Sequence, residues 1–150
     1  MTQRHPQISD TDPTELTPKD EEDKMSIYAG IDHIEINVND VEEMAAFLKK
    51  VGFVETRRTE HTEGSIELRF PGGPDAPILE LNQSKIEPKG FQHIAIRTLD
   101  IEAAYADMVS RGFKIMRPLG PPTSSGRRVF NLEDPQGNKL QFSTQIKSKD

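Results

Sequence analysis

GIDHIEINVND, residues 30–40, and GFQHIAIRTLD, residues 90–100, lie on one another without a gap. Gly30 meets Gly90, His33 meets His93, Ile34 meets Ile94, Ile36 meets Ile96 and Asp40 meets Asp100. The register runs on past the quoted stretch, with Glu42 on Glu102, Ala46 on Ala106, Gly52 on Gly112, Phe53 on Phe113 and Arg57 on Arg117. All ten pairs keep an offset of 60, and ten identities between residues 30 and 57 exceed what shared strand composition supplies. The chain therefore carries an internal duplication, and its fold is one supersecondary unit built twice.

Periodicity defines that unit. In IDHIEINV (31–38), Ile34, Ile36 and Val38 fall on one face and His33, Glu35 and Asn37 on the other, which predicts a half-buried strand. VEEMAAFLKKVGF (41–53) changes to helical spacing, with Asp40 as N-cap and Gly52 as the stop. VETRRTE and SIELRF read as a hairpin around His61-Thr62-Glu63-Gly64, and PGGPDAP leads into a fourth strand, PILELNQ. The second copy closes with RRVFNL, the turn EDPQGN and a last strand KLQFST, where an offset of 61 pairs Gln141 with Glu80. The expected architecture is α+β, one domain over residues 27–147, with module one at about 30–87 and module two at about 88–146. Phe47, Phe53 and Phe113 are expected in the core.

Residues 1–26 are acidic, proline-bearing and poor in apolar side chains, so they read as a disordered tail; His5, within it, is given no function. The chain holds 25 acidic against 19 basic residues, which argues against nucleic-acid or anionic-membrane partners. The absence of cysteine excludes disulfides, thiolate metal sites and a cysteine nucleophile. No apolar run approaches the roughly 20 residues of a bilayer span, and no secretory h-region opens the chain, so a cytoplasmic protein is expected.

Alternation also sorts the polar residues. With Ile34, Ile36, Leu79, Leu81, Ile94, Ile96, Leu140 and Phe142 facing the helices, the opposite face holds His33, Glu80, His93 and Gln141. Each copy thus offers a histidine from its first strand and an oxygen donor from its last. If those strands are neighbours, two imidazoles, a carboxylate and an amide oxygen converge, a mixed N/O set suited to a divalent ion with positions left open.

From about residue 31 to 144 the chain resembles the vicinal oxygen chelate superfamily, which includes glyoxalase I, methylmalonyl-CoA epimerase, extradiol dioxygenases and the fosfomycin and bleomycin resistance proteins. The resemblance rests on DHIEI (32–36), ILEL (78–81), QHIAI (92–96) and, most specifically, DPQGNKLQF (134–142). It implies two tandem βαβββ modules forming a curved, partly open mixed sheet around a metal site, with helices on the outer face. It also implies one divalent ion (Ni, Co, Zn, Mn or Fe) held by His33, Glu80, His93 and Gln141. Many members have glutamate at the last position. Gln141 departs from that pattern, and an amide binds metal without being able to take a proton.

The activity so implied is a lyase or isomerase of the glyoxalase or epimerase kind, acting on a small substrate with vicinal oxygens through an enolate-like intermediate. Glu80 is the first candidate for the base, and Glu35, two residues past His33 on the same face, is the second. Arg97, four residues past His93, is placed to hold a substrate anion. Arg127 and Arg128, after the loop GPPTSSG, are placed to close over a ligand. An Fe(II) extradiol-type dioxygenase built on His33, His93 and Glu80 is the alternative, although the carboxylate is then expected where Gln141 stands. A non-catalytic binding or resistance protein is the third class. A homodimer is the expected assembly, and no cluster of basic residues near the first helix marks a glutathione site.

Overall fold

The computed structural model describes residues 17–19 and 27–146. The segment 1–26 read as a tail lies, apart from 17–19, outside the described residues, and so does His5. The first unit runs β1 (Tyr28–Val38), α1 (Val41–Val51), β2 (Val54–Thr59), β3 (Ser65–Arg69) and β4 (Ile78–Gln83). The second runs β5 (Gly90–Thr98), α2 (Ile101–Ser110), β6 (Ile115–Arg117), β7 (Val129–Glu133) and β8 (Lys139–Thr144). All eight strands join one curved sheet in the order β2-β3-β4-β1-β5-β8-β7-β6.

This order follows from the duplication. Within each unit the first and last strands pair in parallel, β1 with β4 and β5 with β8. The helix between them supplies the crossover that a parallel pair requires. The units then join through their first strands, β1 antiparallel to β5. The condition set by the sequence, that first and last strands be neighbours, is met in both copies.

The helices pack on one face of the sheet. Val41, Ala45 and Leu48 of α1 form a buried stripe against Ile66, Leu68, Leu79 and Leu81. Ile101 and Ala104 of α2 cover Phe130, Leu132 and Phe142. Phe53 packs against the first cluster as expected. Phe47 and Phe113 do not enter the core: they are 59% and 50% exposed. Phe47 lies about 100° around the helix from Leu48, off the stripe.

Local chemistry marks the helix ends. Asp40 Oδ1 accepts from the amides of Glu42 and Glu43 at 3.0 Å, and Asp100 Oδ1 accepts from that of Ala103 at 3.0 Å. Gly52 ends α1 in the left-handed region at φ 119°, where its N–H reaches the carbonyls of Leu48 and Lys49. Asp40→Ala is therefore expected to cost about 1 kcal/mol in urea unfolding, because it leaves two amides without their acceptor; an unchanged midpoint would show that water replaces the cap without loss.

Candidate metal centre

With the apolar side chains turned to the helices, the concave face becomes a polar floor arranged in two cross-strand rows. One row runs Glu67, Glu80, Glu35, His93 across β3, β4, β1 and β5. The other runs His33, Ala95, Gln141, Asn131 across β1, β5, β8 and β7. Every one of these residues is buried. Ala95 is the pseudo-symmetric counterpart of Glu35, and its methyl leaves room on the floor between His33 and Gln141.

The donors meet here. His33 Nε2 and His93 Nε2 are 3.3 Å apart, His33 Nε2 lies 3.5 Å from Glu80 Oε2, and His93 Nε2 lies 3.5 Å from Glu35 Oε2. His33, Glu35 and His93 bring one ligand atom each within 4.8 Å of one another, and so do Glu35, His61 and Glu80. His33, Glu35, Glu80 and Gln141 line a cavity of about 180 Å³, and His61, at the β2–β3 turn, forms part of its rim. The Gln141 amide donates to Asn131 Oδ1 at 3.2 Å. All of these side chains belong to one chain.

The electrostatics suit a cation. Burial, then the charge of Glu80, pushes Glu35 up to about 7. Burial, then the neighbouring His33, pushes His93 down to about 3, so its imidazole is neutral with a lone pair available. Glu80 Oε1 and His93 Nδ1 are buried without a hydrogen-bond partner among the described residues. Two crowded carboxylates and two facing imidazole nitrogens cost free energy as a metal-free cluster, and a divalent ion relieves that cost. The donor set fits such an ion.

Behind the floor lies a buried ionic support that the sequence did not disclose. His33 Nδ1 is 2.7 Å from Asp32 Oδ2, so a proton held there leaves the Nε2 lone pair directed into the cavity. Burial works against ionising Asp32, but the His33 hydrogen bond with the charges of Arg127 and Arg97 outweighs it and lowers its pKa. Arg127 Nε donates to Asp32 Oδ2 at 3.0 Å, and its NH1 binds Glu67 Oε1. Glu67 also takes a two-pronged contact from Arg57 at 2.8 Å. Asp32 beside His33 was the one local signal for this network; Glu67 on β3 left none, and Arg127 was singled out only as a residue placed to close over a ligand.

A family model of the Glyoxalase/Bleomycin resistance protein/Dioxygenase superfamily matches residues 30–142. The chain belongs to that superfamily. The uncharacterized protein YwbC of Bacillus subtilis is 33% identical over 119 residues, which cover 75% of this chain and 94% of that protein. A lactoylglutathione lyase of Neisseria meningitidis is 28% identical over 119 residues, covering 73% of this chain and 86% of the lyase. Among solved structures, a single-residue variant of Streptomyces coelicolor methylmalonyl-CoA epimerase, in complex with 2-nitronate-propionyl-CoA, superposes with a TM-score of 0.67 at 23% identity, over 80% of this chain and 99% of the epimerase. The Mycobacterium tuberculosis methylmalonyl-CoA epimerase gives 0.67 at 16% identity, over 89% and 95%. At such identities the structures establish the shared fold.

Within this superfamily fold, the four positions expected from the sequence, His33, Glu80, His93 and Gln141, all come to the concave face, and Glu35 stands among them. His61 joins from a turn that sequence periodicity gave no reason to place there, its Nδ1 2.9 Å from Ser124 Oγ. Arg97 lies near Asp32 rather than at the cavity, with its Nε 3.5 Å from Asp32 Oδ1. Arg128 is not brought to the cleft: its Nε donates to the Gly120 carbonyl at 3.0 Å and its NH1 to Glu102 on α2 at 2.7 Å. Alternation explains this, since adjacent residues entering β7 point to opposite faces and Arg127 takes the inner one. Among the described residues no helix is long and apolar enough to cross a membrane.

Proposed function

We propose that this chain is a divalent-metal-dependent lyase or isomerase that removes a proton next to a carbonyl of a small substrate with vicinal oxygens. The observation that carries the reading is the convergence of His33, His93, Glu35 and Glu80, with buried atoms of His93 and Glu80 left unmatched, beside a cavity that His33, Glu35 and Glu80 line. Membership of a superfamily whose relatives include a lactoylglutathione lyase, and whose fold is shared by methylmalonyl-CoA epimerases, supports it.

His33, Glu80, His93 and Gln141 are the residues assigned to hold the ion. When bound, it supplies Lewis-acid stabilisation for negative charge developing on substrate oxygens. Glu35 is assigned as the base, ahead of Glu80. It stands between Glu80 and His93 in the strand register, and the second module has alanine at the equivalent place. The counterpart of Glu80 is another oxygen donor, Gln141, whereas that of Glu35 is not a donor, so Glu35 lies outside the duplicated ligand pattern and is free for proton transfer while Glu80 holds its place. Gln141 cannot share that task because an amide has no usable basicity. Asp32 holds the His33 ring, and Thr123, Ser125 and Arg127 line the cavity wall. The donors all come from one chain, so a homodimer is a separate proposal, checked by sedimentation.

The test pairs elemental analysis with proton exchange. The purified protein is expected to hold about one divalent ion per chain. In D2O it is expected to place deuterium at the carbon next to the carbonyl of methylmalonyl-CoA or of the lactoyl product formed from glutathione and methylglyoxal. A metal-free preparation that exchanges neither, and regains nothing on addition of Ni, Co, Mn or Zn, would falsify the assignment. Asp32→Asn should weaken metal binding roughly 10- to 100-fold while the fold persists, as loss of a histidine-orienting carboxylate generally does; competition with a chromogenic chelator measures it.

One observation favours a second reading. His33, Glu35 and His93 form a compact two-histidine-one-carboxylate group, the set that Fe(II) oxygenases use. Oxygen uptake with catechols under Fe(II), without proton exchange, would select it.

A further inference from the structure

On the far side of the Arg127 side chain from the candidate metal centre, a second cavity of about 380 Å³ opens between β2, β3, β1 and β5. Its charge is unlike that of the chain, whose formal net charge is −6. Four guanidiniums, from Arg57, Arg69, Arg97 and Arg127, line it, opposed by the two carboxylates of Asp32 and Glu67. Two positive charges stand in excess.

The carboxylates are already committed. Glu67 receives both prongs of Arg57 and a bond from Arg127, and Asp32 receives Arg127 and faces His33. Two guanidiniums are left underserved. Arg69 has no side-chain hydrogen bond or ion pair among the described residues, although it is half-buried at the end of β3. Arg97 is only 15% exposed on its side chain, yet its Nε is buried without a hydrogen-bond partner. Its remaining contacts are loose: Asp32 Oδ1 at 3.5 Å and the Ile31 carbonyl at 3.4 Å. Holding an arginine this far out of water with unmatched donors is unfavourable unless an acceptor visits.

We propose that this cavity is a binding site for a phosphate group, with Arg69 and Arg97 as its principal ligands. A planar carboxylate satisfies one guanidinium fork. A tetrahedral dianion has oxygens enough for two forks arriving from different strands, and its charge matches the excess. Ile78 and Ile146 give the cavity an apolar wall, which suits a phosphate monoester as well as free phosphate. The site does not depend on the metal reading, because none of the proposed metal donors lines it.

The experiment is calorimetric titration of the full-length protein with inorganic phosphate and, separately, with methyl phosphate at low ionic strength. Saturable binding at one site per chain is expected. Arg69→Ala and Arg97→Ala should each weaken it roughly 10- to 100-fold, since each removes charge-assisted hydrogen bonds. Arg69→Lys should recover part of the loss. Because Arg69 supports nothing else in the fold, its variants keep the wild-type circular dichroism spectrum. Tighter binding of methyl phosphate assigns the site to the phosphate end of a larger molecule, and tighter or equal binding of inorganic phosphate assigns it to the free anion. His93→Ala serves as the control and should bind phosphate as the wild type does. Binding lost in His93→Ala but intact in Arg69→Ala would place the phosphate on a metal ion and overturn the proposal, as would no saturable binding at all.

Discussion

His93→Ala yields a folded protein that retains no stoichiometric divalent ion and turns substrate over roughly 10³-fold more slowly, a loss of the size seen when a preorganised charge-stabilising group is removed. His93 is 2% exposed, and its Nε2 faces both His33 Nε2 at 3.3 Å and Glu35 Oε2 at 3.5 Å. Removing that imidazole takes away one of two nitrogen donors and leaves two carboxylates facing each other across a void. Metal content by elemental analysis is the primary readout, because activity alone does not separate binding from chemistry. Thermal stability gives a second. A ligand present at about 1,000 times its Kd adds about 4 kcal/mol, so a strong chelator should lower the wild-type melting temperature and leave that of His93→Ala unchanged. Equal metal content in the two proteins would remove His93 from the ligand set.

The second large effect falls on stability. Arg127→Met should cost about 3–5 kcal/mol, the usual penalty for removing one partner of a buried ionic cluster. For a chain of this length that is a fall of roughly 10 °C in melting temperature. Arg127 is 2% exposed and joins Asp32, 95 positions away in sequence, to Glu67, 60 positions away. It ties the second module's wall to two strands of the first, so its loss leaves Glu67 with Arg57 alone and Asp32 with His33 and the looser Arg97, two buried carboxylates short of positive charge. The penalty arises from that under-neutralised buried charge rather than from lost attraction. The double variant Arg127→Met/Glu67→Met should therefore recover at least ~1 kcal/mol of the single-variant loss, with Arg57 turning to solvent. A single-variant loss below ~1 kcal/mol, or no recovery in the double variant, would show that the network contributes little to holding the modules together.

Much of this arrangement was legible before any coordinate. The offset of 60 between His33 and His93, followed through to Arg57 and Arg117, defines two copies of one unit. Alternation in DHIEI and ILEL separates the apolar face from the polar one, because a strand's period of two leaves no freedom in which side chains share a face. The caps at Asp40 and Asp100, and the stop at Gly52, are local hydrogen-bonding chemistry, and local chemistry is written in neighbouring residues.

Two kinds of site residue escaped that reading. His61 sits in a turn, where there is no periodicity to assign a direction, and it reaches the rim of the cavity because the β2–β3 hairpin ends opposite the Ser124 loop. Glu67 carried no more weight in the sequence than other charged residues, and Arg127 was singled out only together with Arg128, as a pair placed to close over a ligand. Their different fates, one buried on Asp32 and Glu67 and the other on α2 and Glu102, depend on which face of β7 each meets.

The sequence alone thus determined the repeat, the strand faces and the shared face on which His33, Glu80, His93 and Gln141 fall, since these follow from spacing and from interactions within a few residues. Tertiary structure alone decided the Asp32–Arg127–Glu67 support, the place of Glu35 between Glu80 and His93, and the arginine-lined cavity behind them. Those features join side chains as far as 95 positions apart. Their partners are fixed only once a curved sheet has folded the two modules against each other, and no pattern along the chain encodes that distance.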